Sequence, residues 1–273
     1  MMKNKKLAFI GAGNMAFAIM SGLIKNGYLS EKIIACNKSN QVRRKELEEL
    51  GITVNLSNSE AVKQADVVIL AVKPQVMSAV CAEFSDLDFS DKWVISVAAG
   101  ISVDRLEALL PSAKNIIRTM PNTPSLIGEG VTGLFAKSST DRTACEFAEA
   151  LMEAVGKCYW VKTEDQLNQI IAITGSSPAY FFLFMEAMQQ SAIKMGFSEQ
   201  DARYLVQSVA LGATKLVESK PDTPLSQLRE NVTSKGGTTA EALAIFEQHH
   251  LLQTVDNAML AAIKRAEEME KSL

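Results

Sequence analysis

Histidine is almost missing from this chain: two residues in 273, His249 and His250, standing side by side. Cysteine is sparse as well, and Cys36, Cys81, Cys145 and Cys158 form no CxxC pair. A zinc site needs clustered thiolate or imidazole ligands, so no metal is expected in the chemistry. Isolated cysteines suit buried free thiols in a reducing compartment, and a cytoplasmic protein is expected. Excess positive charge is lacking too. A formal net charge of −3 gives no general attraction to nucleic acid or to an anionic membrane, and neither partner is expected. There is no internal repeat, low-complexity segment or Gly/Ser/Pro-rich linker.

An uninterrupted apolar span is also lacking at the start. Lys3, Lys5 and Lys6 precede a largely apolar stretch from Leu7 to Ile24, the outline of a signal peptide. Gly11, Gly13 and Asn14 break it where a membrane helix would place Leu or Val. A strand, a glycine turn and an amphipathic helix explain the same residues better.

What is present is alternation. Leu7–Ile10 reads as a buried parallel strand, and Ala16, Ile19, Met20, Leu23 and Ile24 recur at helical spacing. Gly27 is placed to close that helix in the left-handed conformation. Residues 33–36 form a second strand, 41–50 a helix closed by Gly51, and 65–72 and 93–97 two further strands. Residues 116–118 and 131–135 read as strands and 141–154 as a helix. Strands alternating with helices predict a doubly wound, mostly parallel sheet of Rossmann type.

Beyond about Val161 the pattern turns helical, over 165–173, 179–195, 199–218, 239–248 and 252–270. Ser198 with Asp201 is a capping-box variant, and Thr223-Pro224 reads as an N-cap followed by proline at the first helical position. The segment Tyr180-Phe181-Phe182-Leu183-Phe184-Met185 is apolar on every side. It looks too short, and too soon interrupted by Glu186, to cross a bilayer. A helix apolar all round belongs in a core or a subunit interface, so a homodimer or higher homo-oligomer is expected.

The turn Gly11-Ala12-Gly13-Asn14-Met15-Ala16 has the spacing of a dinucleotide site. Gly11 permits the sharp turn, Gly13 admits the pyrophosphate to the backbone, and Ala16 takes the close helix–strand contact. The helix beginning near Asn14 would offer its N–H groups to the phosphates. The end of the second strand distinguishes the nucleotides. An NAD site places Asp or Glu there, whereas this chain has Asn37-Lys38-Ser39, with Arg43 and Arg44 following. A neutral residue with cations and a hydroxyl nearby favours NADPH over NADH. The alternative is that Lys38, Arg43 and Arg44 are merely the solvated face of a helix.

Three more segments, with the glycine turn, resemble pyrroline-5-carboxylate reductase along almost the whole chain. They are Ala71-Val72-Lys73-Pro74-Gln75, Thr174-Gly175-Ser176-Ser177-Pro178-Ala179-Tyr180, and residues 225–247 containing Asn231-Val232-Thr233-Ser234-Lys235-Gly236-Gly237-Thr238-Thr239. Ser177 stands where many family members carry glycine. The resemblance implies NADPH-dependent reduction of the cyclic imine 1-pyrroline-5-carboxylate to L-proline, the last step of proline biosynthesis. It implies a dinucleotide-binding domain over 1–161 and a helical substrate-binding and dimerisation domain over 162–273. It also places Val72, Lys73 and Pro74, and Ala98, Ala99 and Gly100, beside the nicotinamide end. Asn58 falls near the adenosine ribose, and Glu164 and Asn231 near the product.

Residues Ser234 to Thr239, including Gly236, Gly237 and Thr238, are a small-residue loop opening a helix, a natural seat for a small carboxylate. An imine that arrives protonated needs little acid–base help, which fits the lack of a His, Tyr or Asp near the glycine turn. Thr239 is expected to hydrogen-bond the ring nitrogen, with most of the acceleration coming from positioning. Two rivals are a β-hydroxyacid dehydrogenase and a non-catalytic NADPH-binding regulator. The first looks for a lysine on the second domain's first long helix as proton donor, and 180–192 contains none.

Overall fold

The computed structural model describes residues 4–37, 40–55 and 57–272, with Asn55 described by its backbone alone. Lys38 and Ser39, expected at the cofactor site, therefore lie outside the described residues. Eight strands make one sheet: β1 Leu7–Ile10, β2 Ile33–Cys36, β3 Thr53–Asn55, β4 Val67–Leu70, β5 Trp93–Ser96, β6 Asn115–Met120, β7 Gly130–Ala136 and β8 Gly156–Trp160. Their spatial order is β3-β2-β1-β4-β5-β6-β7-β8, parallel except for the antiparallel β6–β7 pair. The expected mostly parallel, doubly wound sheet is what the chain forms.

Among the described residues, six helices are interleaved with these strands. They are α1 Asn14–Lys25, α2 Gln41–Glu49, α3 Asn58–Gln64, α4 Met77–Ala82, α5 Val103–Leu109 and α6 Arg142–Glu153. Side chains alternate across the parallel strands, so each strand feeds two cores. Leu7 and Phe9 pack with Ile33, Ala35, Val67 and Ile69 beneath α1 and α6. Ala8 and Ile10 pack with Ile34, Cys36, Val68 and Leu70 beneath α3, α4 and α5. Both faces are covered, which is why β1, β2 and β4 read as continuous apolar runs. At Gly22 helix α1 closely approaches the end of α6, since a Cβ there would come within 2.6 Å of Ala154 O. Of the cysteines, Cys36 and Cys81 are buried, but Cys145 and Cys158 are only half-buried, because their strand and helix face the rim of the first core.

The helical part contains α7 Gln166–Ile170, a π turn over Ile171–Gly175, α8 Ser177–Lys194, α9 Glu199–Glu218, α10 Leu225–Asn231, α11 Thr238–Gln248 and α12 Leu251–Ser272. Ser198 caps α9 as expected, accepting from Asp201 N at 3.1 Å and donating to Asp201 Oδ2 at 2.7 Å. Pro224 itself, not Thr223, occupies the N-cap of α10, and the helix starts at Leu225. One expectation is corrected. The helical path from Gln166 to Lys194, through the π turn and a bend at Ser176, spans 29 residues and is long and apolar enough, by length and composition, to cross a membrane. Length therefore does not exclude that, and the face needs another cover.

By compactness the chain forms two units, residues 1–176 with 262–273, and residues 177–261. The 161/162 division read from sequence falls where the sheet ends, at Trp160. In the second unit α8 packs on α9, and Phe184 meets Phe246 with ring centroids 5.9 Å apart. Its apolar surface is largely uncovered: Phe181, Phe182 and Leu183 are each more than 60% exposed.

Candidate functional site

The glycine turn follows β1, at the point where the chain builds β2 and β3 to one side and β4 to β6 to the other. Doubly wound sheets bind ligands at this switch, outside the carboxyl ends of their strands. Gly11 has φ +98°, and a Cβ there would lie 2.6 Å from Ala71 O, so only glycine fits. Gly13 differs. Its φ is −70°, it caps α1 without any side-chain hydrogen bond, and a Cβ would meet no protein atom within 4 Å. The backbone at the start of α1 is thus free of a side-chain cap and of crowding at Gly13, as a phosphate site requires. Ala12 and Ala16 are buried, and Met15 is half-buried against the first core.

The loop after β2 is tied by its own polar groups. Asn37, 9% exposed, accepts from Asn40 N at 3.1 Å and donates to Asn40 O at 3.2 Å. Asn40 caps α2 by accepting from Arg43 N. The Arg43 side chain, left open above between ligand and solvated face, is packed. It lies 4.0 Å over the Phe17 ring, donates to Asn14 Oδ1 at 2.9 Å and pairs with Glu46 at 2.9 Å. It thereby joins the glycine turn to the start of α2. Asn58 is buried on α3 and donates to Glu83 Oε2 at 3.0 Å.

Two further loops leave the same edge. After β4, Val72 is half-buried and Lys73 is exposed, with Pro74 opening a short 3₁₀ turn over Pro74–Val76. After β5, Ala98 and Gly100 are buried and Ala99 is half-buried. Ala98 N donates to Ser96 Oγ at 3.3 Å, and Gly100 has φ +71°. The glycine turn, Asn37, Val72–Pro74 and Ala98–Gly100 thus follow four neighbouring strands in the order β2, β1, β4, β5. The structure brings these together.

Glu164 belongs to the first unit and has structural partners. Its Oε1 accepts from Val103 N at 2.7 Å, at the first turn of α5, and from Arg118 at 2.8 Å. Arg118 is buried on β6 and also reaches Glu270, which takes a bond from Asn168. Sequence reasoning passed over this group. An arginine inside an otherwise apolar strand was the available signal, because a buried cation demands carboxylates.

The remaining residues lie in the second unit. Asn231 ends α10, exposed, with its Oδ1 accepting from Gln227 at 3.1 Å. Ser234 to Gly237 form a tight turn closed by Gly237 N donating to Ser234 O at 3.0 Å, with Gly236 at φ +71°. A side chain at Gly237 would collide with the Ser234 hydroxyl. Gly237 caps α11 and has no side chain to offer, so the N–H groups of Thr238 and Thr239 lack the usual cap. Thr239 is half-buried and Thr238 exposed.

Known proteins match this chain along its length. A family model described as pyrroline-5-carboxylate reductase dimerisation matches residues 164–269. One described as NADP oxidoreductase, coenzyme F420-dependent, matches residues 6–100. A pyrroline-5-carboxylate reductase of Vibrio alginolyticus is 55% identical, over 99% of each chain. A solved pyrroline-5-carboxylate reductase from Coxiella burnetii is 40% identical over 97% of this chain and 98% of its own, with a TM-score of 0.89. The Plasmodium falciparum pyrroline carboxylate reductase with NADP bound is 29% identical over 99% of this chain and 100% of its own, also at 0.89.

Proposed function

The chain belongs to the pyrroline-5-carboxylate reductase family, and from that premise we propose how its own residues carry the reaction. The reaction is the NADPH-dependent reduction of 1-pyrroline-5-carboxylate to L-proline, which closes proline biosynthesis. The observation that carries it is the 55% identity over 99% of the chain to a reductase of that name. The bare face at Gly13 and the uncapped start of α1 fit the pyrophosphate of the dinucleotide, and the neutral Asn37 fits a 2′-phosphate. When bound, NADPH supplies a hydride from C4 of its nicotinamide.

The carboxyl edge of the sheet holds and orients the cofactor. Gly11 to Ala16 take the pyrophosphate, with Asn37, Lys38 and Ser39 at the 2′-phosphate and Asn58 near the adenosine ribose. Val72, Lys73 and Pro74, with Ala98, Ala99 and Gly100, flank the nicotinamide end. The turn from Ser234 through Gly236 and Gly237 to Thr238 and Thr239 takes the substrate carboxylate on its free N–H groups. The imine enters protonated, and its ring N–H donates to Thr239 Oγ1. That contact fixes the ring while the C=N carbon accepts hydride and the nitrogen keeps its proton as the amine of proline. Asn231 and Glu164 stand as further substrate residues. Glu164 already accepts from both Val103 N and Arg118 through Oε1. NADH serves as a poorer donor.

The family is homo-oligomeric through the matched dimerisation region, and the exposed Phe181, Phe182 and Leu183 are surface that a second copy covers. The smallest such assembly is a homodimer built on residues 162–273. Four free cysteines, two of them buried, support a reducing, cytoplasmic setting. Mixing the protein with NADPH and the imine, and following NADPH absorbance, tests the activity. No NADPH oxidation would sink it. Sedimentation of wild type against Phe182→Asp tests the assembly, and an unchanged mass would move the interface elsewhere.

A further inference from the structure

The segment from Thr174 to Tyr180 has so far no role in binding either ligand. Its peculiarity is Pro178, in the first turn of α8. Proline has no N–H, and the carbonyl that position 178 would serve in an uninterrupted helix is that of Thr174, four residues earlier. A side chain from elsewhere serves it instead: Asn122 Nδ2 donates to Thr174 O at 2.9 Å. The other end of the same amide accepts from Val131 N at 2.8 Å, and Asn122 is only 7% exposed.

The backbone widens at this place. Ser176 N donates to Ile171 O at 2.7 Å, five residues back, and Ile171–Gly175 form one π turn. Single π turns inside α-helical paths frequently mark functional sites. The turn rests on the end of β6, where a Cβ at Gly175 would sit 3.7 Å from Met120 Cε. Asn122 follows β6 at the carboxyl edge of the sheet, the ligand-binding edge. Beside it Thr119 Oγ1 donates to Ser96 O at 3.0 Å, on the strand that leads into Ala98–Gly100. Every hydrogen bond in this set lies within the first unit, while Pro178 is the second residue of the unit that starts at Ser177.

We propose that Asn122 is a positioning residue for the reduction. Its amide replaces the N–H that Pro178 lacks and pins the π turn to the ligand-binding edge, at the point where α8 departs. An amide is required because Val131 needs an acceptor and Thr174 a donor. Aspartate meets the first need and fails the second, turning an oxygen toward a buried carbonyl. The turn then shifts, and hydride transfer is sensitive to displacements of about 1 Å.

The proposal rests on the reductase reading, and the experiment separates the two. Wild type, Asn122→Asp, Pro178→Ala and the double variant are assayed as full chains with NADPH and 1-pyrroline-5-carboxylate, and NADPH affinity is titrated separately. Asn122→Asp should lower kcat about tenfold or more while NADPH affinity stays within about twofold. Pro178→Ala returns an N–H to the helix, so the double variant should turn over faster than Asn122→Asp alone. Wild-type kcat in Asn122→Asp, even with a lowered Tm, makes the residue a mere brace and overturns the proposal. So does a loss that Pro178→Ala leaves untouched. If Asn122→Asp does not fold, recovery of a folded, active double variant supports the proposal and its failure refutes it. A wild type that cannot oxidise NADPH with the imine overturns the reductase reading instead.

Discussion

Glu270 Oε1 accepts a hydrogen bond from Arg118 at 2.7 Å across 152 positions of sequence. Arg118 is buried and holds Glu164 at 2.8 Å as well, so one guanidinium joins β6, the approach to α7 and the last turns of α12. Removing the cation would leave two carboxylates facing one another with no counter-charge. Arg118→Met is therefore expected to cost about 3–5 kcal/mol. Glu270→Gln keeps an acceptor and should cost about 1 kcal/mol. Urea unfolding at fixed protein concentration measures both, and equal stabilities would show that the network contributes nothing.

Gly11 and Gly13 look alike in sequence and should fail differently. Gly11→Ala forces a positive φ and a collision with Ala71 O, so it should destabilise the fold by more than about 2 kcal/mol. Gly13→Ala meets no protein atom, and stability should stay within about 0.5 kcal/mol. Its methyl instead occupies the pyrophosphate's approach, and NADPH affinity should fall about tenfold, or 1.4 kcal/mol. Thermal melts beside NADPH titrations distinguish the pair. Similar losses in both would remove the phosphate role of Gly13.

Asn37→Asp keeps the acceptor for Asn40 N while placing a negative charge where a 2′-phosphate would bind. The ratio of kcat/KM for NADPH over NADH should drop about tenfold or more. An unchanged ratio would move nucleotide discrimination away from this loop.

Thr239→Ala removes the hydroxyl assigned to the ring nitrogen and leaves the backbone N–H groups in place. Turnover should fall about a hundredfold, with NADPH affinity nearly unchanged. Wild-type turnover in this variant would remove Thr239 from the mechanism.

Alkaline pH gives a prediction about the core. Burial pushes the Cys81 thiol up from about 9 to about 11. The unfolded chain therefore loses this proton first. The thiol's contribution is complete below pH 9 and is lost as pH rises through 11, a fall of about 2 kcal/mol by pH 11. A Cys81→Ala variant should be less stable at neutral pH and show a shallower decline in stability above pH 9. The same decline in both would assign the effect to other groups.

Much of the fold could be read from the residues. β1 and β2 fall where the apolar runs are, and the cap at Ser198 follows from side-chain chemistry. β3 and β8 escaped notice because neither is an apolar run. β3 has three residues, and β8 places Lys157 and Tyr159 outward on an edge. α3, α4 and α5 are six or seven residues long, too short for a helical period to stand out. The glycine turn was legible because its backbone constraint is written as glycine. The arginine network and the Asn122 contact were not, since their partners lie far apart in sequence. Pro178 was the one local sign that a carbonyl nearby would need a donor from elsewhere.

The clip on Arg118 also bears on the order in which the protein is made. Residues 177–261 are synthesised between the two parts of the first unit. Arg118 is translated early, yet its partner Glu270 emerges only after the entire second unit. Until position 270 has been synthesised, the chain contains only one of the two carboxylates that Arg118 binds in the folded protein, Glu164. The nucleotide-binding unit is begun before the second unit and completed only after it.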